Sequence, residues 1–72
     1  MYQRIRDLRE DSDKNQTEMA KMLSCSQQTY SNYELGQRTI PPEILISLAK
    51  IHNTSIDYLL GLTNVREPYP RA

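Results

Sequence analysis

The chain has 72 residues, with nine Lys plus Arg set against nine Asp plus Glu and a single cysteine, Cys25. That length allows one domain around a small core, and a lone cysteine excludes an internal disulfide and fits a reducing cytoplasm. No apolar run approaches the roughly 20 residues of a membrane span, and no signal-peptide pattern, repeat or low-complexity stretch is visible.

With five tyrosines and neither Trp nor Phe, the interior must be filled by Leu, Ile and Met. A first helix is expected over about Tyr2 to Ser12. Ile5 and Leu8, with Tyr2 and Ser12 nearby on the wheel, face inward, while Arg4, Asp7 and Asp11 point outward. The connection Asp13-Lys14-Asn15 leads to Asn15, a good N-cap, and Lys14 can lay its aliphatic stem over the core. A second helix is predicted over Thr17 to Ser24, where Met19, Ala20 and Leu23 form one apolar stripe at helical spacing. Ala20 is small enough to let two helices cross closely.

After a turn at Ser24-Cys25, with Cys25 packing as a small hydrophobe, Ser26 caps a third helix from Gln27 to Leu35. Tyr30 and Tyr33 make its inner face; Gln27, Gln28, Ser31 and Asn32 make the opposite one. Gly36 closes this helix, and Ile40 plugs into the core. Pro41-Pro42 opens a fourth helix that runs to about His52. Its inward stripe is Ile44, Leu45, Leu48 and Ala49, with Ile51 or His52. Asn53 ends it in a left-handed conformation, and Ser55 caps a fifth helix, Ile56 to Leu60, with Asp57 in the first turn. Residues 63–72 hold Pro68 and Pro70 around Tyr69 and cannot be helical there. They form either a frayed tail or an arm packed on a partner subunit.

The outward face of the third helix carries the chemistry. A glutamine or asparagine amide presents a donor beside an acceptor, the pattern that matches N7 and the N6 amino group of adenine in the major groove. Gln27 and Gln28 lie in the first turn, the part of a recognition helix that reaches base edges, and Asn32 follows one turn along the same side. A bare Gln-Gln pair on a solvated helix face says little by itself; its place directly after an AxxLSCS turn is what gives it meaning.

Here the chain resembles the Cro and phage-repressor (XRE) type of helix-turn-helix DNA-binding domain, found in small bacterial and phage regulators. The resemblance covers about residues 4–62, through RIRDLRE, NQTEMAKMLSCSQQTYSNYELG, QRTIPPEILISLAK and NTSIDYLLGLT. It implies an all-α, compact five-helix lambda-repressor-like domain over residues 1–62, with the helix-turn-helix at helices two and three. It also implies a cytoplasmic transcriptional regulator, most simply a repressor, that binds duplex DNA as a homodimer on a palindromic operator. Gln27, Gln28, Asn32 and Ser31 would read bases; Asn15, Gln16, Thr29, Arg38 and Thr39 would hold the backbone. The residues opening helix two contact phosphates in this family, and its glutamine steadies the neighbouring recognition glutamine; exposed N–H groups at a helix start suit an anion. Arg38 is either a solvated loop cation or one that reaches a phosphate or the minor groove. The resemblance also implies that Arg9 pairs with Glu34, since a planar guanidinium can meet a carboxylate with two hydrogen bonds; the alternative is an exposed arginine on an acidic helix, worth little.

The chain departs from the family at four places. Asp13 and Ser24 stand where glycine is usual, Lys14 where a leucine fills the core, and Cys25 where an apolar residue is usual. These changes bear on local stability more than on function.

The balanced charge is unusual for a nucleic-acid binder. From Asn15 to Ile40, Lys21 and Arg38 are matched by Glu18 and Glu34, so a modest counterion-release slope is expected. The neutral charge and the Tyr-Pro tail keep open a second class, a protein-interaction module such as an antitoxin or antirepressor. No metal site is expected, since only His52 could join Cys25. No cofactor is expected, and no Ser, Cys, His or carboxylate spacing suggests an enzyme. Within these 72 residues no ligand-sensing or self-cleaving domain is expected.

Overall fold

A computed structural model describes residues 2–70; Met1 and residues 71–72, the last two of the tail, lie outside the described residues. The described chain is all-α: α1 (Gln3–Asp11), α2 (Gln16–Met22), α3 (Gln27–Leu35), α4 (Pro42–Ile51) and α5 (Ile56–Leu59). None of these helices is long and apolar enough to cross a membrane.

Local chemistry accounts for where the helices start. Asn15 Oδ1 accepts from the Glu18 N–H at 2.8 Å while Glu18 Oε1 accepts from the Asn15 N–H at 3.0 Å, a reciprocal capping box. Ser26 and Ser55 accept from Thr29 and Tyr58 N–H groups at the starts of α3 and α5. Pro42 occupies the first turn of α4, where its missing N–H costs nothing.

The ends follow one rule. After each helix a residue turns left-handed: Asp13 (φ 57°), Ser24 (φ 56°), Gly36 (φ 72°), Asn53 (φ 51°) and Gly61 (φ 80°). In each case the next residue's N–H returns to a carbonyl of the last turn, as in Cys25 N–H to Ala20 O at 3.0 Å and Thr54 N–H to Ala49 O at 2.9 Å. These are Schellman closures, which use the orphan carbonyls of the helix end. The closure at Ser24 ends α2 at Met22, two residues short of the expected Ser24, and takes Leu23 out of the helix without exposing it.

The core joins Ile5 and Leu8 of α1, Met19 and Ala20 of α2, Leu23, Tyr30 and Tyr33 of α3, Ile40, Leu48 and Ala49 of α4, and Leu59 of α5. α2 packs chiefly on α3, and α4 on α5, with α1 touching both α3 and α5. Ser12 is exposed at the end of α1 rather than inward, since its hydroxyl bonds back to Arg9 O.

Arg4 does not point into solvent as the helical wheel suggests. Its guanidinium lies 4.2 Å from the centre of the Tyr58 ring and donates to the carbonyls of Tyr58 and Thr63 and to Asn64 Oδ1. Thr54 Oγ1 donates to Arg66 O at 2.6 Å, and Tyr69 Oη donates to Asp57 Oδ2 at 3.0 Å. Residues 63–70 thus run back along α4 and α5 of their own chain. An open hollow of about 430 Å³ remains beside Ile46, Ile56 and Tyr69.

Candidate nucleic-acid interface

α3 is held by an inner face of Tyr30, Tyr33 and Glu34, all buried. At 3.6 residues per turn, this leaves Gln27 and Gln28 exposed and Ser31 and Asn32 half-exposed on the other side. No side chain of residues 63–70 makes a hydrogen bond to this face. Gln28 Nε2 donates to Asn32 Oδ1 at 3.2 Å, so the two amides one turn apart are already associated. Thr29, half-exposed in the first turn, both donates its N–H to Ser26 Oγ and accepts the Ser26 hydroxyl at 2.8 Å.

Beneath the surface lies one charged centre. Arg9 Nε donates to Glu34 Oε2 at 2.6 Å and Arg9 Nη2 to Glu34 Oε1 at 3.3 Å, and Glu34 is 2% exposed. Arg9 also donates to Lys14 O at 3.0 Å, so the cation ties α1, its exit turn and α3 together. Burial alone would raise the Glu34 pKa, but Arg9, the neighbouring Tyr30 hydroxyl and Gln16 outweigh it and hold the carboxyl below its ordinary value. Burial and the same carboxylate push the Tyr30 phenol well above its ordinary range. Its oxygen makes no geometrically good hydrogen bond among the described residues.

From this centre a chain of amides reaches the surface. Gln16 Nε2 donates to Glu34 Oε1 at 3.2 Å, and Gln27 Nε2 donates to Gln16 Oε1 at 2.8 Å. The donation from Gln16 to Glu34 has no signature in the sequence, because it joins positions 18 apart that meet only when α2 crosses α3. The Ser26–Thr29 link did have one, a hydroxyl at the N-cap with another three residues on.

The remaining candidates lie at the edges. Asn15 is exposed at the start of α2, with its side-chain carbonyl committed to the cap. Arg38 and Thr39 are exposed in the loop after α3. Cys25 is half-buried; burial raises its thiol pKa against the opposing pull of nearby Arg38. No cluster of three or more metal-ligating side chains occurs among the described residues.

Comparison with known proteins agrees with this architecture. A family model described as helix-turn-helix matches residues 5–59. The chain is 33% identical over 69 residues to YobD, an uncharacterized HTH-type transcriptional regulator of Bacillus subtilis (strain 168); the match covers 94% of this chain and 62% of YobD. It is 34% identical over 62 residues to ImmR, an HTH-type transcriptional regulator of the same organism, covering 86% of this chain and 49% of ImmR. The chain therefore spans about half to three-fifths of the length of these relatives. With a buried Arg9–Glu34 pair fastening α3 and the family match running from α1 to α5, the chain belongs to the XRE-type helix-turn-helix family.

Proposed function

We propose that this chain is the sequence-specific DNA-binding part of a small transcriptional regulator acting in the cytoplasm as a repressor. α3 enters the major groove, where Gln27, Gln28, Asn32 and Ser31 meet base edges. Asn15, Gln16, Thr29, Arg38 and Thr39 line the flanks and take the phosphates. Two copies on a palindromic operator place their recognition helices about 34 Å apart. The observation that carries this reading is an α3 face of amides and hydroxyls, open to solvent, on a helix whose other face is locked in the core.

The test is selection of bound sites from a random DNA pool, repeated with Gln27→Ala and Gln28→Ala. A bidentate amide contact supplies roughly 1–3 kcal/mol of discrimination. Each variant should lose about tenfold or more of its preference at one operator position, with circular dichroism unchanged. Identical selected sites for the wild type and both variants would remove these residues from the readout.

The neutral charge of the chain and the exposed Leu62, Val65 and Tyr69 favour a second reading, a module that grips a protein partner. Salt separates the two. DNA binding should weaken with ionic strength with a log–log slope of about −2 per protomer if Lys21 and Arg38 are the cations engaged. A protein-binding module should show no DNA affinity that falls in this way.

A further inference from the structure

We propose that the hollow where residues 66–68 lie against the end of α4 binds a small dianion, a phosphate group in chemical class, through Arg66, Lys14 and His52. The site shares no residue with the amide face of α3, so it stands apart from the DNA-binding reading.

The hollow is made by two local features. Asn53 turns left-handed at φ 51°, and the N–H of Thr54 returns to Ala49 O at 2.9 Å, which closes α4. Thr54, 2% exposed, then donates its hydroxyl to Arg66 O at 2.6 Å and pins the returning segment across that end. Between them lies a volume of about 340 Å³ lined by His52, Asn53, Arg66, Glu67 and Pro68. Small-molecule sites run from roughly 300 to 1,000 Å³.

The charges there point to an anion. His52 is 9% exposed, and its Nε2 is buried with no hydrogen-bond partner among the described residues. Lys14, from the exit turn of α1, and Arg66 both act on this ring and disfavour its protonation. Neither cation is answered by an acid, since the ion pairs among the described residues are Arg6–Glu10 and Arg9–Glu34. Glu67 lines the same hollow, but it is exposed and lies beyond ion-pair distance of both cations. In a chain of zero net charge, two unanswered cations therefore converge on one buried imidazole. A dianion neutralises both. The planar guanidinium of Arg66 suits two oxygens of a tetrahedral anion, and the Asn53 amide supplies a further donor. With the anion in place the imidazolium gains a counter-charge, so binding and protonation of His52 favour each other.

His52 is the single histidine of the chain, so its ring protons report on the site without ambiguity. The test is an NMR pH titration of the full chain in sulfate and in chloride at equal ionic strength, sulfate being dianionic throughout. Sulfate should raise the His52 pKa by about one unit, and its affinity should grow severalfold from pH 7.5 to pH 5.5. Arg66→Gln and Lys14→Gln should each weaken sulfate binding about tenfold, with circular dichroism unchanged. Glu67→Gln removes the opposing charge and should strengthen it. Arg38→Gln removes a cation that does not act on His52, and should change neither value. Glycerol phosphate and a short DNA duplex, titrated in the same way, assign the source of the phosphate group: a response to the ester makes it a small-molecule site, and a response to the duplex alone a backbone contact. A His52 pKa that moves equally in chloride, or equal sulfate affinity in the wild type, Arg66→Gln and Glu67→Gln, overturns the proposal.

Discussion

At the residue scale, Ser24 and His52 are held in states that a different side chain would occupy more easily. Ser24 sits at φ 56° in the turn of the helix-turn-helix. A left-handed backbone costs an L residue roughly 1–2 kcal/mol that glycine escapes, part of it returned through the greater freedom of glycine in the unfolded chain. Ser24→Gly should therefore stabilise the domain by about 0.5–1 kcal/mol, read from the urea midpoint. A lower midpoint would mean the hydroxyl makes a compensating contact. His52 closes α4, and its Nε2 is buried without a hydrogen-bond partner among the described residues. Burial first, then Arg66 and Lys14, hold its pKa below the ordinary 6.5. As pH falls through about 6.5 the unfolded chain takes up the proton before the folded one, so this contribution is full above that pH and declines below it. His52→Leu should flatten the loss of stability between about pH 7.5 and pH 5.5, checked by urea unfolding at both. An unaltered slope would assign that pH dependence to other groups.

At the scale of elements, α3 is anchored by charge as much as by apolar contact. Glu34 is buried, and Arg9 contacts both of its oxygens. Removing one member of a buried pair strands the other, at a cost of about 3 kcal/mol. Glu34→Ala should lower unfolding stability by that amount, a large part of what so small a core provides. A loss under about 1 kcal/mol would show that the pair behaves like an exposed one. Because the Glu34 pKa is depressed, its contribution is present above the ordinary value of 4.5 and lost as pH falls through the folded pKa. Arg9 and the Gln16 amide, which itself accepts from Gln27, share the Glu34 carboxylate, so the element that would read DNA and the element that stabilises the fold are one structure.

For the whole molecule, the segment after α5 is the feature that links distant parts. Arg4, at the beginning of α1, grips Thr63 and Asn64 near the end of the chain and stacks on Tyr58. Arg4→Ala removes several charge-assisted hydrogen bonds at once. It should cost about 1–2 kcal/mol and make residues 63–70 cleavable by protease while the helical domain stays intact. Wild-type cleavage rates in Arg4→Ala would show that the Thr54 and Tyr69 contacts suffice.

The five helices, their side-chain caps and the ends at Gly36 and Asn53 were legible from the residues alone, because each depends on a few neighbours along the chain, whereas the left-handed turns at Ser24, which ends α2 early, and at Gly61 were not. Asn15, Ser26 and Ser55 cap, Pro42 opens a helix, and Gly36 and Asn53 close one, whatever lies opposite them. The division of α3 into a tyrosine face and an amide face is equally local, since helical spacing imposes it. Of the contacts between residues far apart in sequence, Arg9 with Glu34 and Gln16 with Gln27 were expected through the family resemblance, whereas Gln16 with Glu34, Arg4 with the returning tail, and the influence of Arg66 on His52 needed the folded chain. Arg4 is the plainest case, for by periodicity it belongs on the outer face, and Tyr58 of α5 together with the path of residues 63–70 covers that face. Periodicity tells a side chain which way to point, but only the packing of other elements determines what it meets there.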